Sequence, residues 1–233
     1  MSQESKYNLG NAKFGGGFAG DEGIQIGGTF YDYSSPDTAQ IEVTSNLAFR
    51  KILILAANPK ATSPLRLDEE VREIDAGLQR AKKREQLDLK QQWAVRVRDV
   101  TRALLDFKPQ IVHFSGHGAG DEGLAWEDET GQVRFVDAEA LAGLFELFAN
   151  QLECVVLNAC YSEVQAEAIV KHIPYVIGMN KAIGDKAAIE FAVGFYDALG
   201  AGESVEFAYQ LGCNAIRLVG IGEHLTPKLK KRQ

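Results

Sequence analysis

Two apolar runs each end in a side chain that can do acid–base or nucleophilic work. Ile111-Val112-His113-Phe114-Ser115-Gly116-His117-Gly118 brings up an imidazole. Val155-Val156-Leu157-Asn158-Ala159-Cys160-Tyr161-Ser162 brings up a thiol. A histidine beside a cysteine is the minimum equipment of a cysteine nucleophile, because the imidazole takes the thiol proton and later returns it to the leaving group. The two residues meet if their runs are neighbouring parallel strands, whose chain ends open on one edge of a sheet.

Position separates these two residues from others of their kind. Cys154 opens an apolar run and Cys213 falls in a helical stretch, and buried thiols of that sort behave as small hydrophobes. Cys160 instead follows its run and precedes a helix expected from about Ser162; helix N-termini favour the thiolate and offer free N–H groups. His113 lies inside its run and reads as a packed core histidine, while His117 sits between Gly116 and Gly118, which leave room for a substrate. The N–H groups of Gly118 and Cys160 make a candidate oxyanion hole. His172 and His224 have no comparable setting.

The rest of the pattern supplies a sheet to carry them. Residues 52–57 are apolar without a break and are closed by Asn58-Pro59, as in a strand buried on both faces. Leu67, Val71, Ile74, Leu78 and Ala81 then mark one stripe of a helix, with Asp68, Glu69 and Glu70 in its early turns and Lys82-Lys83-Arg84 at its end, the sense the helix dipole favours. A weaker strand follows over 87–95, and a helix over 97–107 stops before Pro109. Residues 110–115 form a second strong strand. Residues 123–126 and 133–136, joined through Asp128-Glu129-Thr130-Gly131, read as a hairpin. Asp137 is suited to cap a helix bearing Leu141, Leu144, Phe145 and Phe148. Strands at 154–158 and 175–179 and helices at 162–171, 187–199 and 205–218 complete the alternation, which implies an α/β fold with a mainly parallel central sheet flanked by helices.

Composition narrows the function. With 45% hydrophobic and 24% charged residues, the chain has the make-up of a globular domain. A net charge of -7 argues against nucleic acid as the main partner. No apolar run approaches the ~20 residues of a membrane span, and the polar start is unlike a signal peptide, so a cytoplasmic protein is expected. Three cysteines with no C-x-x-C and no histidine pair at zinc spacing give neither a disulfide framework nor a metal site. Gly118-Ala119-Gly120-Asp121-Glu122-Gly123 fits G-x-G-x-x-G, but a dinucleotide site needs a helix opening directly from the glycines, and here a hairpin pattern follows. No cofactor is implied.

Taken together these residues resemble the caspase-like fold. His117 and Cys160 stand 43 positions apart, near the ~50 of the caspase pair. The blocks at 54–59, 66–74, 113–118, 157–162 and 176–179, with 187–191 and 202–205 after them, are similar in content and order to CHAT domains, the separase-related prokaryotic branch of the clan CD cysteine peptidases. The resemblance covers about residues 50–220. It implies a cysteine endopeptidase acting on a protein substrate, with Cys160 as nucleophile and His117 as base; the fold needs no third triad residue. It also implies a pocket for the substrate side chain preceding the cut, built from the loop holding Asn58 and from the loop at 180–185. There Asp185 can pair with a basic side chain, although an aspartate just before a helix also reads as an N-cap.

Residues 1–48 differ from everything after them, being glycine-rich with few aliphatics, too little to offset their chain entropy alone. They are expected to be disordered or conditionally amyloid-forming, with a boundary near 46–47. Ile24-Gln25-Ile26-Gly27 resembles the core tetrad of RHIM-type amyloid signalling motifs, in which glutamine and isoleucine stack in register. That resemblance implies an upstream sensor or effector bearing a matching motif. The expected organisation is therefore a recruitment segment over 1–48, a caspase-like peptidase domain over 49–225 and a solvated basic tail over 226–233. The competing reading is a catalytically silent caspase-like scaffold working through the same motif.

Overall fold

The computed structural model describes residues 23–26, 29–32 and 49–233. The chain divides into two units, Met1–Asn46 and Leu47–Gln233. In the first, β1 (Gly23–Ile26) pairs antiparallel with β2 (Thr29–Asp32). Ile24, Gln25 and Ile26 are thus strand residues; Gly27 and the disorder expected for the remainder fall outside the described residues.

The second unit is built on β3 (Arg50–Ala56), whose last five residues are buried. It continues through α1 (Leu67–Arg80), β4 (Leu87–Trp93), α2 (Val97–Phe107) and β5 (Ile111–Ser115). The hairpin β6 (Leu124–Glu127) and β7 (Val133–Val136) leads into α3 (Ala138–Glu146), β8 (Cys154–Asn158), α4 (Glu163–Ile169) and β9 (Tyr175–Met179). Helices α5 (Asp185–Ala201) and α6 (Val205–Leu218) and strand β10 (Pro227–Lys231) close the chain. The central sheet has the order β10-β9-β8-β5-β3-β4. All pairings are parallel except that of β10 with β9.

Strand periodicity divides the core into two layers. Leu53, Leu55, Val112, Phe114, Val155 and Leu157 face one side with residues of α2, α3 and α4. Ile52, Ile54, Ile111, Cys154 and Val156 face the other with residues of α1, α5 and α6. Successive strand side chains alternate between faces, so His113 and Ser115 of β5, and Asn158 of β8, point toward α1 and α5. Full burial of each aliphatic side chain contributes about 1.5–3 kcal/mol, and the two faces together hold the sandwich.

Three expectations are corrected. The basic stretch at the end is no solvated tail: residues 227–231 add β10 to the sheet edge, because Leu229 packs toward the core and the lysines find acids. Lys230 pairs with Glu163 and Glu167, and Lys231 with Glu206. Asp185 does not cap α5; Gly184 holds the cap position and Asp185 is the first helical residue. The helix after Cys160 is shorter than expected, running only from Glu163 to Ile169. The glycine run itself holds a short 3-10 turn over Gly120–Glu122, and the β6–β7 hairpin follows it directly, which leaves no helix terminus for a pyrophosphate.

Candidate active site

The carboxyl ends of β5 and β8 lie side by side, with Ser115 opposite Asn158 in the register. His117 follows the first by two residues and Cys160 follows the second by two. Both line one cleft, together with Leu65, Arg66, Ile183 and Asp185. The main chains stay tied beyond the strands: the N–H of Gly116 donates to the carbonyl of Asn158 at 3.4 Å.

His117 is half-buried. Its Nε2 lies 2.9 Å from the carbonyl oxygen of Ser63, in the loop between β3 and α1. A carbonyl only accepts, so Nε2 carries the proton and Nδ1 keeps its lone pair as a base. This orienting group was not foreseeable from residue type, since any residue at position 63 would offer the same carbonyl.

Cys160 lies in a sharp turn. The next residue, Tyr161, is left-handed at φ 55, a conformation that costs a non-glycine residue about 1–2 kcal/mol. The turn is held by the N–H of Tyr161 donating to the carbonyl of Lys181 at 3.3 Å. The Cys160 sulfur accepts from the N–H of Ile183 at 3.4 Å and lies 3.7 Å from the Ile183 carbonyl oxygen. The loop after β9 thus forms the wall against which the thiol rests.

The proposed oxyanion donors lie at the junction of the two loops. Gly118 forms a bridge with Leu124 whose hydrogen bonds come from the N–H groups of Ala119 and Ala125, so the N–H of Gly118 takes no part in it. Gly118 itself packs against the main chain of Cys160: a Cβ there would come within 2.2 Å of the Cys160 carbonyl oxygen.

Of the two substrate-binding candidates, one lines the cleft. The Asp185 carboxylate accepts from the Arg66 N–H at 3.4 Å. Asn58 is exposed and does not line the cleft. Its N–H donates to Glu127 Oε1 at 3.4 Å, because the β3–α1 loop is drawn to the β6–β7 hairpin by Lys60, whose N–H donates to Gly131 and whose Nζ donates to Thr130. Leu65 and Arg66 take the place on the cleft wall that Asn58 was expected to hold.

The floor of the cleft was not anticipated. Glu70, Ser115 and Asn158 line it, and all are buried. Glu70 Oε1 accepts from Asn158 Nδ2 at 2.7 Å and pairs with His113 Nε2 at 2.9 Å, while Oε2 accepts from the Ser115 hydroxyl at 2.5 Å. His113 Nδ1 contacts the Tyr196 hydroxyl at 3.1 Å. Burial pushes the Tyr196 phenol well up, which keeps it a neutral hydroxyl able to donate to that nitrogen. His113 is a buried core residue as expected, but it is hydrogen-bonded at both nitrogens. The signal for Glu70 was present: it lies on the Leu67–Ile74 stripe, where a carboxylate among apolar positions must find partners.

Cys154 is fully buried and its thiol is pushed up by desolvation; burial also raises Cys213. Among the described residues, no group of three or more His, Cys, Asp or Glu is placed to hold a metal ion, and no helix is long and apolar enough to cross a membrane.

The CHAT domain model matches residues 28–210 of this chain. The chain belongs to the CHAT domain family. Over 180 residues this CHAT domain is 26% identical to a protein of Gillisia limnaea named a probable protease, covering 75% of this chain and 32% of that one. It is 27% identical over 177 residues to a Roc-COR-CHAT protease from an unknown prokaryotic organism, covering 72% and 16%. The chain therefore spans a third or less of the length of these curated relatives. In fold it is similar to a secreted C11 cysteine protease from Bacteroides thetaiotaomicron, solved with an irreversible peptide inhibitor, at a TM-score of 0.59 and 16% identity over 79% of this chain and 66% of that one. It is similar also to the Drosophila initiator caspase Dronc, at a TM-score of 0.52 and 8% identity over 79% and 81%. The CHAT domain thus has the α/β architecture expected from its strand and helix pattern, in the caspase-like form that the family resemblance implied.

Proposed function

We propose that this CHAT domain is a cysteine endopeptidase in which His117 and Cys160 form the catalytic dyad. The observation that carries the reading is the shared cleft: an imidazole and a thiol, each two residues past a parallel strand, line one opening. The names of its relatives as proteases support the same class.

In this mechanism Nδ1 of His117 takes the proton of Cys160, and the thiolate attacks the scissile carbonyl carbon. The N–H groups of Gly118 and Cys160 receive the oxyanion. The imidazolium, its Nε2–H held by the Ser63 carbonyl, protonates the leaving amine. Water then attacks the thioester, giving its proton to His117, and the acid product and free thiol are released. Asp185, on the cleft wall, receives a basic substrate side chain. The segment around Ile24-Gln25-Ile26-Gly27 recruits the chain to a partner with a matching motif in a signalling or defence pathway, which concentrates the peptidase and switches on proteolysis.

Labelling with electrophilic peptide probes bearing basic, acidic or apolar side chains tests this. Wild type is expected to label, with basic probes preferred, and Cys160→Ala and His117→Ala to lose it. Labelling that survives Cys160→Ala sinks the assignment, and an apolar preference removes the role of Asp185. Ile24→Asp with Ile26→Asp is expected to abolish recruitment and the activation that follows from it, and unchanged recruitment and activation would remove the role of this segment.

A further inference from the structure

One buried carboxylate grips both strand ends beneath the cleft. Glu70 is 3% exposed, and its two oxygens divide between neighbouring strands. Oε2 takes the hydroxyl of Ser115, two residues before His117, and Oε1 takes the amide of Asn158, two residues before Cys160. Ser115 and Asn158 are register partners, so a single rigid group spans the same rung of the sheet from which both loops depart. His113 Nε2 supplies a third donor to the same carboxylate. The network also reaches α5, through Asn158 Nδ2 to the Ala188 carbonyl at 3.2 Å and through His113 to Tyr196.

We propose that Glu70 is a positioning residue, setting the separation of the β5 and β8 ends and hence of His117 and Cys160. The inference rests on the reading of those two as a catalytic pair. Stability alone does not account for a carboxylate here. Replacing buried charged groups with apolar ones of similar size is often neutral or stabilising, and the stripe of α1 is otherwise apolar. What a leucine at position 70 could not do is hold two strands in register through charge-assisted hydrogen bonds, whose geometry is directional. Slippage of β8 against β5 would stretch one of the two contacts, so the carboxylate resists the motion that would part the imidazole from the thiol.

The test is the pH profile of Cys160 alkylation by iodoacetamide in the full chain, read on the Cys160 peptide by mass spectrometry. Wild type, His117→Ala, Glu70→Gln and Ser115→Ala are compared. His117→Ala is expected to move the inflection toward the free-thiol value of roughly 8.5. Glu70→Gln, which turns an amide NH₂ toward donors, is expected to move it the same way and to slow alkylation at neutral pH about tenfold. Ser115→Ala keeps the other two contacts and shifts it less. A purely structural Glu70 would lower the melting temperature and leave the inflection in place, and that result overturns the inference. If wild type and His117→Ala coincide, the dyad itself fails. If His117→Ala moves the inflection while Glu70→Gln and Ser115→Ala do not, only the Glu70 inference fails. Should Glu70→Gln not fold, Ser115→Ala decides by the same criterion.

Discussion

Gly118→Ala tests the structure where its two halves touch. A Cβ at position 118 would lie 2.2 Å from the Cys160 carbonyl oxygen and 3.3 Å from the Ala159 Cβ. Ordinary C–H···O contacts begin near 3.3 Å, so one main chain must retreat by about 1 Å. Gly118 is not left-handed, so the cost is the collision and not the backbone conformation. Overpacking of this kind costs about 1–3 kcal/mol. For a domain of this size that lowers the melting temperature by roughly 2–12 °C. A displacement of about 1 Å at a site slows its chemistry on the order of 100-fold. Gly143→Ala is the matched control. It removes the same glycine freedom from the unfolded chain, but its Cβ meets nothing within 4 Å in the interior of α3. It is expected to stabilise by about 0.5–1 kcal/mol. Thermal melts and Cys160 alkylation rates are measured on both variants. Equal shifts in melting temperature, or a Gly118→Ala rate within twofold of wild type, would refute the contact between the histidine loop and the cysteine turn.

Further expectations follow from single groups. Cys154, fully buried with its thiol pushed up, stays unmodified by iodoacetamide in the native protein while Cys160 reacts; peptide mapping that finds Cys154 modified as fast as Cys160 contradicts the burial. The Tyr175 hydroxyl at 2.8 Å, with help from Lys231, lowers the Glu206 carboxyl from 4.5 to about 2. Because the folded value is the lower one, its contribution to stability is complete above pH 4.5 and is lost as pH falls through about 2. Melting curves of wild type and Glu206→Gln should therefore differ near neutrality and converge in strong acid, and a constant gap would count against the pairing. Leu229→Ala is expected to cost about 1–2 kcal/mol because the side chain packs toward the core, whereas a substitution in a solvated tail would be silent in a thermal melt.

Most of the second unit was legible because its strands announce themselves. Strands buried on both faces read as near-continuous apolar runs, and the middles of β3, β5 and β8 do so, with His113, Ser115 and Asn158 as the buried polar exceptions. Their common direction then follows from the helices between them; the order of the strands comes from the structure, which sets β5 beside β8 and so brings His117 and Cys160 to one cleft. What escaped has a different physical character. Ser63 acts through its carbonyl, which every residue possesses. Asn58 was misplaced because the course of the β3–α1 loop depends on Lys60 reaching the hairpin, a contact between residues 71 positions apart. The end of the chain was misread because four basic residues among its last six suggest solvent, whereas alternation of Leu229 with lysines is equally the pattern of an edge strand. Glu70 was visible as an acid in an early helical turn, and that dipole role concealed its place on the buried stripe.

The site and the fold are therefore joined by polar groups at the apolar faces' edges. On the α1 side, β5 reads Ile111, His113, Ser115 and β8 reads Cys154, Val156, Asn158: each strand is apolar where it enters the core and polar where it leaves. An all-apolar face would bury as much surface and hold the sheet as firmly, but apolar contacts are non-directional and would leave the two strand ends free to shift by fractions of an ångström. Hydrogen bonds to one carboxylate remove that freedom at the rung from which both loops start. The same division recurs in the loops, where main-chain contacts from Ser63 to His117 and from Ile183 to Cys160 orient the two side chains. Bulk stability comes from the apolar layers, and the positions of two side chains come from a handful of directional contacts placed where those layers end.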